Sequence, residues 1–281
     1  MDSMKRVIIT ADDFGLAVAV NEAVEMACRD GVLTTASLMV GAEAANDAIE
    51  RARHLPQLRV GLHVVLVDGR PMLPPEQIPA LVGADGCFRR DLVAAGIRCF
   101  FTPGARRQIE AELRAQFSAF AATGLPLDHV NAHNHFHLHP TVLGLILKVG
   151  RAFGMRAIRL PREPRAIGPG GLALAPWTAL MRLRLRLAGI RCNDHVLGLS
   201  QTGAMTESAV LALLDRADTL PQGSVSELYF HPATRRCPEL TRTMPDYDHQ
   251  GELQALLSPR VRAALEERGL RPIAFSDLSA S

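Results

Sequence analysis

The chain has 281 residues, of which 48% are hydrophobic and 21% charged, and its formal net charge is +2. This composition supplies enough apolar material for a large core and excludes the charge-rich, apolar-poor signature of a disordered chain. The near balance of basic and acidic residues excludes the dense positive surface of proteins that bind nucleic acid, so we expect no nucleic-acid partner.

The first predicted elements alternate between strand and helix. Val7–Ala11 is a short β-branched run followed by Asp-Asp-Phe-Gly, which is typical of a buried strand that ends at Asp12. Helical spacing follows over Val20–Arg29, before Gly31 at the position of a C-terminal cap. The alternation continues with a strand near Ala36–Val40, a helix near Glu43–Arg53 and a strand over Arg59–Leu66.

The middle of the chain interrupts this alternation. Residues 67–104 contain several prolines, the turn sequence Asp85-Gly86 and no sustained periodicity. We interpret this stretch as an insertion over one end of the sheet. A helix is then predicted over Arg106–Ala122, and a strand over Leu127–Ala132 runs into a cluster of histidines. Pro140 is placed to begin the next helix.

The C-terminal half repeats the pattern of strand and helix. Further strands are predicted at Arg156–Leu160, His195–Leu199, Val225–Phe230 and Pro272–Phe275, with helices near Thr206–Leu220 and after Ser258-Pro259. Strands that alternate with helices indicate a parallel sheet, and about seven or eight such units close a barrel. We therefore predict an α/β fold with a single domain over residues 1–281, a deformed (β/α) barrel with loop insertions over its C-terminal rim.

The cysteines and the N-terminus bear on the cellular location. The five cysteines are widely spaced and form no CxxC pair, so the sequence predicts neither a disulfide framework nor a cysteine zinc site. The N-terminal segment has too few apolar residues for a signal peptide, and no apolar run is long enough to cross a membrane. We expect a cytoplasmic protein.

Titratable residues recur where the predicted strands end. Asp12 and Asp13 follow the first strand, His63 lies on the third, and His231 follows Val225–Phe230. The strand over Leu127–Ala132 is followed by four alternating histidines, His133, His135, His137 and His139. In a parallel barrel the carboxyl ends of the strands meet at one rim, where the active site forms, so these side chains are expected to converge.

Two imidazoles and one carboxylate, with an open position for water, form the metal site of a hydrolase. These ligand types favour zinc, with magnesium or another transition ion as alternatives. Alternating residues of a strand share one face, so up to four of these histidines could point into one pocket, and those that are not ligands would either support the ligands or contact substrate. An isolated acidic pair is more often a solvated turn or a cap, but its occurrence together with the histidines favours a real site.

Five segments of the chain resemble, in order and spacing, the YdjC-like carbohydrate deacetylases. They are Ala11–Gly15, Thr35–Val40, Gly61–His63, Asn131–Pro140 and Phe230–Pro232. The resemblance covers nearly the whole chain. Within the family, Asp128–Asn131 and His231–Thr234 are similar to the branch associated with hopanoid biosynthesis, which acts on an N-acetylglucosaminyl hopanoid lipid.

The resemblance implies a deformed barrel and one divalent metal ion held by Asp13, His63 and His133. It implies that Asp12 is the general base that deprotonates a water molecule and that His231 protonates the leaving amine. The two aspartates can exchange these roles, and both can approach one ion only where the strand has ended and the chain turns.

Three further residues complete the predicted site. The resemblance gives Arg159 the role of orienting the base, with a structural salt bridge to an acid such as Glu163 as the alternative. His135 and His137 are the predicted substrate contacts.

The activity implied is metal-dependent hydrolysis of the acetamide of an N-acetylated sugar, by attack of a water molecule that the metal activates. The sugar is either part of an N-acetylglucosaminyl hopanoid lipid or part of a chitooligosaccharide. The same site on a barrel also admits cleavage of phosphoesters or glycosidic bonds, since fold does not fix function. A non-catalytic module that binds a sugar or a metal is the alternative from another class of protein.

The segment Pro176–Arg191 combines apolar and basic residues at helical spacing. Leu180, Leu183 and Leu187 share one helical face, with arginines beside it, as in helices that lie on anionic membranes. The alternative is an ordinary barrel helix or one at the interface of a homo-oligomer. A lipid-linked substrate would favour peripheral contact with the inner membrane surface through residues 176–191.

Overall fold

The computed structural model describes residues 5–164 and 169–278, apart from the side chains of residues 98, 99 and 169–174. One parallel sheet organises these residues. Its strands are Arg6–Phe14 (β1), Thr35–Leu38 (β2), Arg59–Val64 (β3), Val130–Ala132 (β4), His195–Leu197 (β5), Val225–Phe230 (β6) and Arg271–Ile273 (β7). The order across the sheet is β4-β3-β2-β1-β6-β5, and β7 pairs with the first residues of β1.

Ten α-helices accompany the strands in the described part of the chain. They are Val18–Arg29 (α1), Ala45–Arg53 (α2), Leu92–Phe101 (α3), Pro103–Ala122 (α4), Pro140–Ala152 (α5), Pro169–Leu187 (α6), Glu207–Asp218 (α7), Pro238–Thr243 (α8), His249–Leu257 (α9) and Pro259–Glu267 (α10). Short 3₁₀ helices occur at Pro75–Gln77, His133–Leu138, Leu199–Gln201 and Phe275–Asp277.

The sheet curls until its two outer strands approach each other. Val130 of β4 and Ile158 form an isolated parallel bridge, and Ala157 forms another with Arg191. The backbone N–H of Val196 in β5 then donates to the carbonyl of Arg162 at 2.8 Å. Hydrogen bonds therefore continue from β4 through residues 157–162 to β5. The deformed (β/α) barrel predicted from the sequence is confirmed, and the predicted strand over residues 156–160 is reduced to two isolated bridges.

The residues of β1 alternate between two environments. Val7, Ile9 and Ala11 belong to the main apolar core together with helix residues, whereas Ile8 belongs to a small second cluster with Val225 and Phe275. Because successive side chains of a strand point to opposite faces, Thr10 and Asp12 share the face of Ile8. Along β1, the inner face of the sheet is therefore apolar at Ile8 and carries buried polar side chains nearer the end of the strand.

Two local predictions at strand ends were wrong. β1 does not stop at Asp12 but continues to Phe14, with one extra residue opposite Ser37 of β2. The alternating histidines do not form a strand, because residues 133–138 make a 3₁₀ helix in which Asn134 and His135 have left-handed backbone angles. A common face for all four histidines is thereby excluded.

The insertion at residues 67–104 contains a helix that the sequence analysis did not predict, α3. The C-terminal half likewise holds two unpredicted short helices, α8 and α9. The helix predicted over residues 176–191 begins earlier and ends at Leu187, with Pro176 inside it.

No helix among the described residues has the length and apolarity needed to cross a membrane. Four of the five cysteines have described side chains, and each of these is a free thiol: Cys28, Cys87, Cys192 and Cys237.

Candidate metal centre and catalytic cleft

An open cleft of about 400 Å³ lies at the carboxyl ends of the strands. Its wall includes charged, imidazole and phenol side chains together with apolar ones. Among the residues that line it are Asp12, His63, Asp68, His133, His135, Leu138, Tyr229, His231, Met244 and Tyr247. The structure therefore brings into one cleft polar residues that are up to 235 positions apart in the chain, between Asp12 and Tyr247.

A β-bulge near the end of β1 changes the direction of two consecutive aspartates, Asp12 and Asp13. Ala11 pairs with Ala36 and Phe14 pairs with Leu38, so two residues of β1 lie opposite a single residue of β2. Asp13 is the residue with a left-handed backbone, φ 59°. Bulges re-aim side chains in this way, and aspartate tolerates the left-handed region better than most residues. Asp12 and Asp13 are both buried at this bulge.

Three side-chain atoms converge on one point. His63 Nε2 lies 3.2 Å from Asp13 Oδ1, His133 Nδ1 lies 3.1 Å from the same oxygen, and the two nitrogens are 3.3 Å apart. In a tetrahedral zinc site with bonds of about 2.0–2.1 Å, neighbouring ligand atoms are about 3.3 Å apart. The spacing and the donor types therefore fit a small divalent cation. The second oxygen of Asp13 is buried without a hydrogen-bond partner among the described residues.

Asn131 fixes which nitrogen of His63 is free to bind. Its Nδ2 donates to Asp12 Oδ1 at 3.0 Å and to Ser37 Oγ at 2.9 Å. Because an ionised carboxylate only accepts hydrogen bonds, the amide nitrogen must face Asp12, and Asn131 Oδ1 then accepts from His63 Nδ1 at 2.7 Å. The proton of neutral His63 is thus on Nδ1, and the lone pair of Nε2 points toward Asp13 and His133.

The charges at this point favour a cation. Burial alone would raise the pKa of Asp13, but His133 and His63 hold it well below its usual value. Burial alone would lower the pKa of His133, but the carboxylate of Asp13 outweighs this effect and raises it. The site therefore keeps a negative oxygen beside two imidazoles, and a metal ion would displace any proton on His133.

Asp12 forms a buried ion pair with Arg159. Both guanidinium Nη atoms contact the carboxylate, at 2.5 and 3.0 Å, while Arg159 Nε and Nη2 also donate to Glu227 Oε1 at 2.9 and 2.7 Å. Burial would raise the pKa of Asp12, but Arg159 lowers it far below its usual value. Arg159 pairs with Asp12 and Glu227, so the alternative salt bridge with Glu163 is not the one observed.

The other predicted histidines occupy different places. His135 lines the cleft and its ring packs edge-on against Tyr229. His137 is fully buried, and its Nε2 donates to the backbone carbonyl of Arg159 at 3.0 Å. Burial lowers the pKa of His137 to about 3, so this ring is neutral. The structure thus places His137 behind the cleft wall, next to Arg159.

His231 faces the cleft from the end of β6. Its ring packs between Tyr229 and Tyr247, with centroid distances of 5.6 and 5.2 Å. Burial lowers its pKa, and the two aspartates offset this only in part. The backbone N–H of His231 donates to Glu252 at 2.5 Å, and its carbonyl accepts from His249 at 2.6 Å. His231 is therefore held from behind by α9.

Glu252 gives the fold a pH dependence that can be measured. Burial raises its pKa from 4.5 to about 7, although its carboxylate accepts backbone hydrogen bonds from His231 and Met205. A raised pKa in the folded state stabilises the fold fully below pH 4.5, and this contribution is lost as the pH rises through about 7. The free energy of unfolding of the natural protein, relative to Glu252→Gln, should fall by about 3 kcal/mol over that range. Urea unfolding at several pH values measures this, and parallel pH profiles for the two proteins would contradict it.

Sequence reasoning did not single out several residues of the site. Asn131 and Glu227 connect the predicted residues, and Tyr229 and Tyr247 flank His231. The sequence did contain one indication of this ion pair. Glu227 is a charged residue inside the predicted buried strand Val225–Phe230, and a buried charge requires a partner.

The fold and the site define a (β/α)-barrel protein that carries a buried aspartate and two histidines of metal-ligand type beside a buried Asp–Arg pair. The chain belongs to the YdjC-like protein family, whose model matches residues 6–267. This agrees with the family resemblance of the sequence motifs.

Curated relatives and a solved structure match the chain over nearly its whole length. A carbohydrate deacetylase of Brevibacillus brevis is 31% identical and covers 97% of this chain and 99% of the relative. A chitooligosaccharide deacetylase of Serratia marcescens is 31% identical over 98% and 99% of the two chains. A crystal structure from Enterococcus faecalis, of a candidate cellobiose-phosphate cleavage protein, is 26% identical, with a TM-score of 0.81 over 99% and 100% of the two chains.

Proposed function

We propose that the protein is a metal-dependent hydrolase of linear amides, an N-deacetylase that removes acetate from an N-acetylated sugar. The observation that carries this proposal is the convergence of Asp13, His63 and His133 at the open cleft that the two histidines and the ionised Asp12 line. The relatives named as carbohydrate and chitooligosaccharide deacetylases support the same reaction class.

The metal would be held by Asp13, His63 and His133, and the two nitrogen ligands favour zinc, with magnesium or another transition ion as alternatives. A divalent ion bound there would polarise the acetamide carbonyl and lower the pKa of the attacking water. Asn131 contributes by keeping the lone pair of His63 Nε2 directed at this point.

Asp12 is the proposed general base. Its carboxylate is ionised at neutral pH because Arg159 lowers its pKa, and it lines the cleft. It takes a proton from the attacking water as the new carbon–oxygen bond forms. Because its pKa is low, Asp12 holds that proton weakly and releases it as the reaction proceeds.

His231 is the proposed acid that protonates the leaving nitrogen. Its lowered pKa makes the resting imidazole neutral at neutral pH. The proton that it donates must therefore reach it during the reaction, and the one taken from water by Asp12 balances the one needed by the amine. The products are acetate and the free amino sugar.

His135 is the proposed substrate contact of the cleft wall, and the structure gives Tyr229 and Tyr247 similar positions. Burial and the nearby Arg159 lower the pKa of His135 well below its usual value, so this ring is neutral. A neutral imidazole and two phenols suit sugar hydroxyls, which both donate and accept hydrogen bonds. His137 retains only an indirect role, through Arg159.

The proposed substrate is an N-acetylglucosaminyl hopanoid lipid, with a chitooligosaccharide as the alternative. The first choice rests on the resemblance of Asp128–Asn131 and His231–Thr234 to the hopanoid-associated branch, and it would locate the protein at the inner membrane surface. The alternative is supported by the Serratia marcescens relative.

Acetate release tests both the reaction and the substrate. The purified protein is incubated with N-acetylglucosaminyl lipid in detergent and with soluble chitooligosaccharides, with and without prior removal of metal by a chelator. We expect acetate from one of the two substrates, its loss after chelation and its recovery when zinc is added back.

His63→Ala provides the matched test of the metal site. This variant should bind almost no metal and release no acetate, since it loses one of three ligands. His54→Ala serves as the control, because His54 is an exposed imidazole at the end of α2 and does not line the cleft. Full metal occupancy in His63→Ala, or undiminished turnover by metal-free protein, would refute the proposed site.

A further inference from the structure

The exposed apolar side chains of this protein are concentrated on two helices. Ten large hydrophobic residues are exposed in the described part of the chain, and eight of them lie on α3 and α6. The eight are Leu92, Val93, Ile97, Phe100, Phe101, Leu180, Leu183 and Leu187. Single exposed hydrophobic residues are ordinary, but a concentration of this kind marks an interaction surface.

On each helix these residues follow one face. Val93, Ile97 and Phe101 are spaced by four, and their exposed fractions are 72%, 57% and 74%. Leu183 and Leu187 show the same spacing and are 52% and 80% exposed. On α6 the buried face belongs to other residues, since Met181 and Leu185 are almost fully buried. The apolar stripe predicted from the sequence of α6 therefore points outward and does not cover the barrel.

Both helices contact the same short segment next to the cleft. On α3, the ring of Phe100 packs edge-on against His139. On α6, Trp177 Nε1 donates to the carbonyl of Leu138 at 2.9 Å, and Arg184 donates to the carbonyl of Pro140 at 3.2 Å. Leu138 lines the cleft, and so does Leu92 of α3. Both helices therefore lie next to the cleft, and their exposed apolar faces are on elements that contact its border.

The charged residues within the two helices are all basic. The sequence contains no aspartate or glutamate over residues 92–109 or 169–187, whereas α6 carries Arg182, Arg184 and Arg186. The neighbouring Asp91 accepts hydrogen bonds from the backbone N–H groups at the start of α3, and Arg182 is paired with Asp194. Exposed apolar residues with cations beside them are complementary to an anionic lipid surface.

We propose that the faces of α3 and α6 together form a docking surface for an anionic phospholipid membrane, at the mouth of the catalytic cleft. A second copy of the chain is a poorer occupant, because a symmetric interface would set the arginines of this surface against themselves. Membrane binding does not depend on the reaction, whereas its use, the presentation of a lipid-linked substrate to the cleft, rests on the proposed function.

Sedimentation with vesicles tests the docking surface. The natural protein should bind vesicles of mixed phosphatidylglycerol and phosphatidylcholine at least about tenfold more tightly than vesicles of phosphatidylcholine alone, and added salt should weaken this binding. The double variants Val93→Glu with Phe101→Glu, and Leu183→Glu with Leu187→Glu, should each lose about tenfold or more of the affinity. The control is Val18→Glu with Met26→Glu, which changes the two exposed apolar residues that lie on α1.

Two results would overturn the proposal: the absence of vesicle binding by the natural protein, and an equal loss in the α1 control. If vesicle binding is absent, a homodimer that the α3 or α6 changes dissociate would identify a second copy of the chain as the occupant. Turnover of a water-soluble N-acetylated sugar is measured on the same variants and should not change. If the protein turns over the sugar but does not bind vesicles, only the docking surface is refuted. If it binds vesicles but does not turn over the sugar, only the proposed reaction is refuted.

Discussion

Replacing Asp12 with asparagine is expected to lower kcat for deacetylation by about 10²- to 10⁴-fold, the usual contribution of a positioned general base. Asparagine keeps the shape of the side chain but cannot take a proton from water. Asp12 is not one of the three converging ligand residues, so bound metal should be almost unchanged. Single-turnover acetate release and metal analysis of the same preparation measure the two effects.

Asp13→Asn separates the roles of the two aspartates. This variant should lose metal as well as activity, because Asp13 Oδ1 lies 3.2 and 3.1 Å from the two histidine nitrogens. Asp68→Asn is the control, since Asp68 also lines the cleft and pairs with the exposed Arg90, and asparagine tolerates its left-handed backbone. Undiminished turnover in Asp12→Asn, or loss of its metal, would show that the assignment of base and ligand is wrong.

The order of elements was predictable because it depends on local pattern. β-branched runs such as Val7–Ala11 and Val225–Phe230 alternate with helical periodicity, and this alternation leads to a parallel sheet with its functional residues at one end. The resemblance to the YdjC-like family predicted Asp13, His63 and His133 as a group, and the structure places their ligand atoms within 4.8 Å of one another. That they bind metal remains a prediction.

The local geometry of the site was not predictable, because it depends on distant contacts. A sequence with alternating histidines favours a strand, but Asn134 and His135 adopt left-handed angles, and His137 is tied to the backbone of Arg159. The bulge at Asp13 likewise depends on pairing with β2, whose register no single segment determines. Helix α3 was missed because Leu92–Phe101 is short, apolar at eight of its ten positions and contains Gly96, and the pattern of a short apolar run does not show which element it forms.

Arg159→Leu is expected to lower the free energy of unfolding by about 3–5 kcal/mol, the cost of leaving buried charges without their partner. Arg159 is fully buried between two carboxylates, those of Asp12 and Glu227, and both would be stranded. Arg114→Leu is the matched control, because Arg114 is half exposed and pairs with Glu110 on the surface of α4. Its loss should be at most about 1 kcal/mol. Urea unfolding of the two variants makes the comparison.

Adding Glu227→Gln to Arg159→Leu should restore part of the lost stability, since one of the two stranded charges is removed. Such recovery is a coupling between neighbours that independent sites do not show. A loss in Arg159→Leu no greater than that in Arg114→Leu would mean that water reaches the two carboxylates in the folded protein. Arg159→Leu also removes the cation that lowers the pKa of Asp12, so the proposed base becomes protonated at a higher pH than in the natural protein. The guanidinium of Arg159 therefore contributes both to the stability of the barrel interior and to the ionisation of the proposed base.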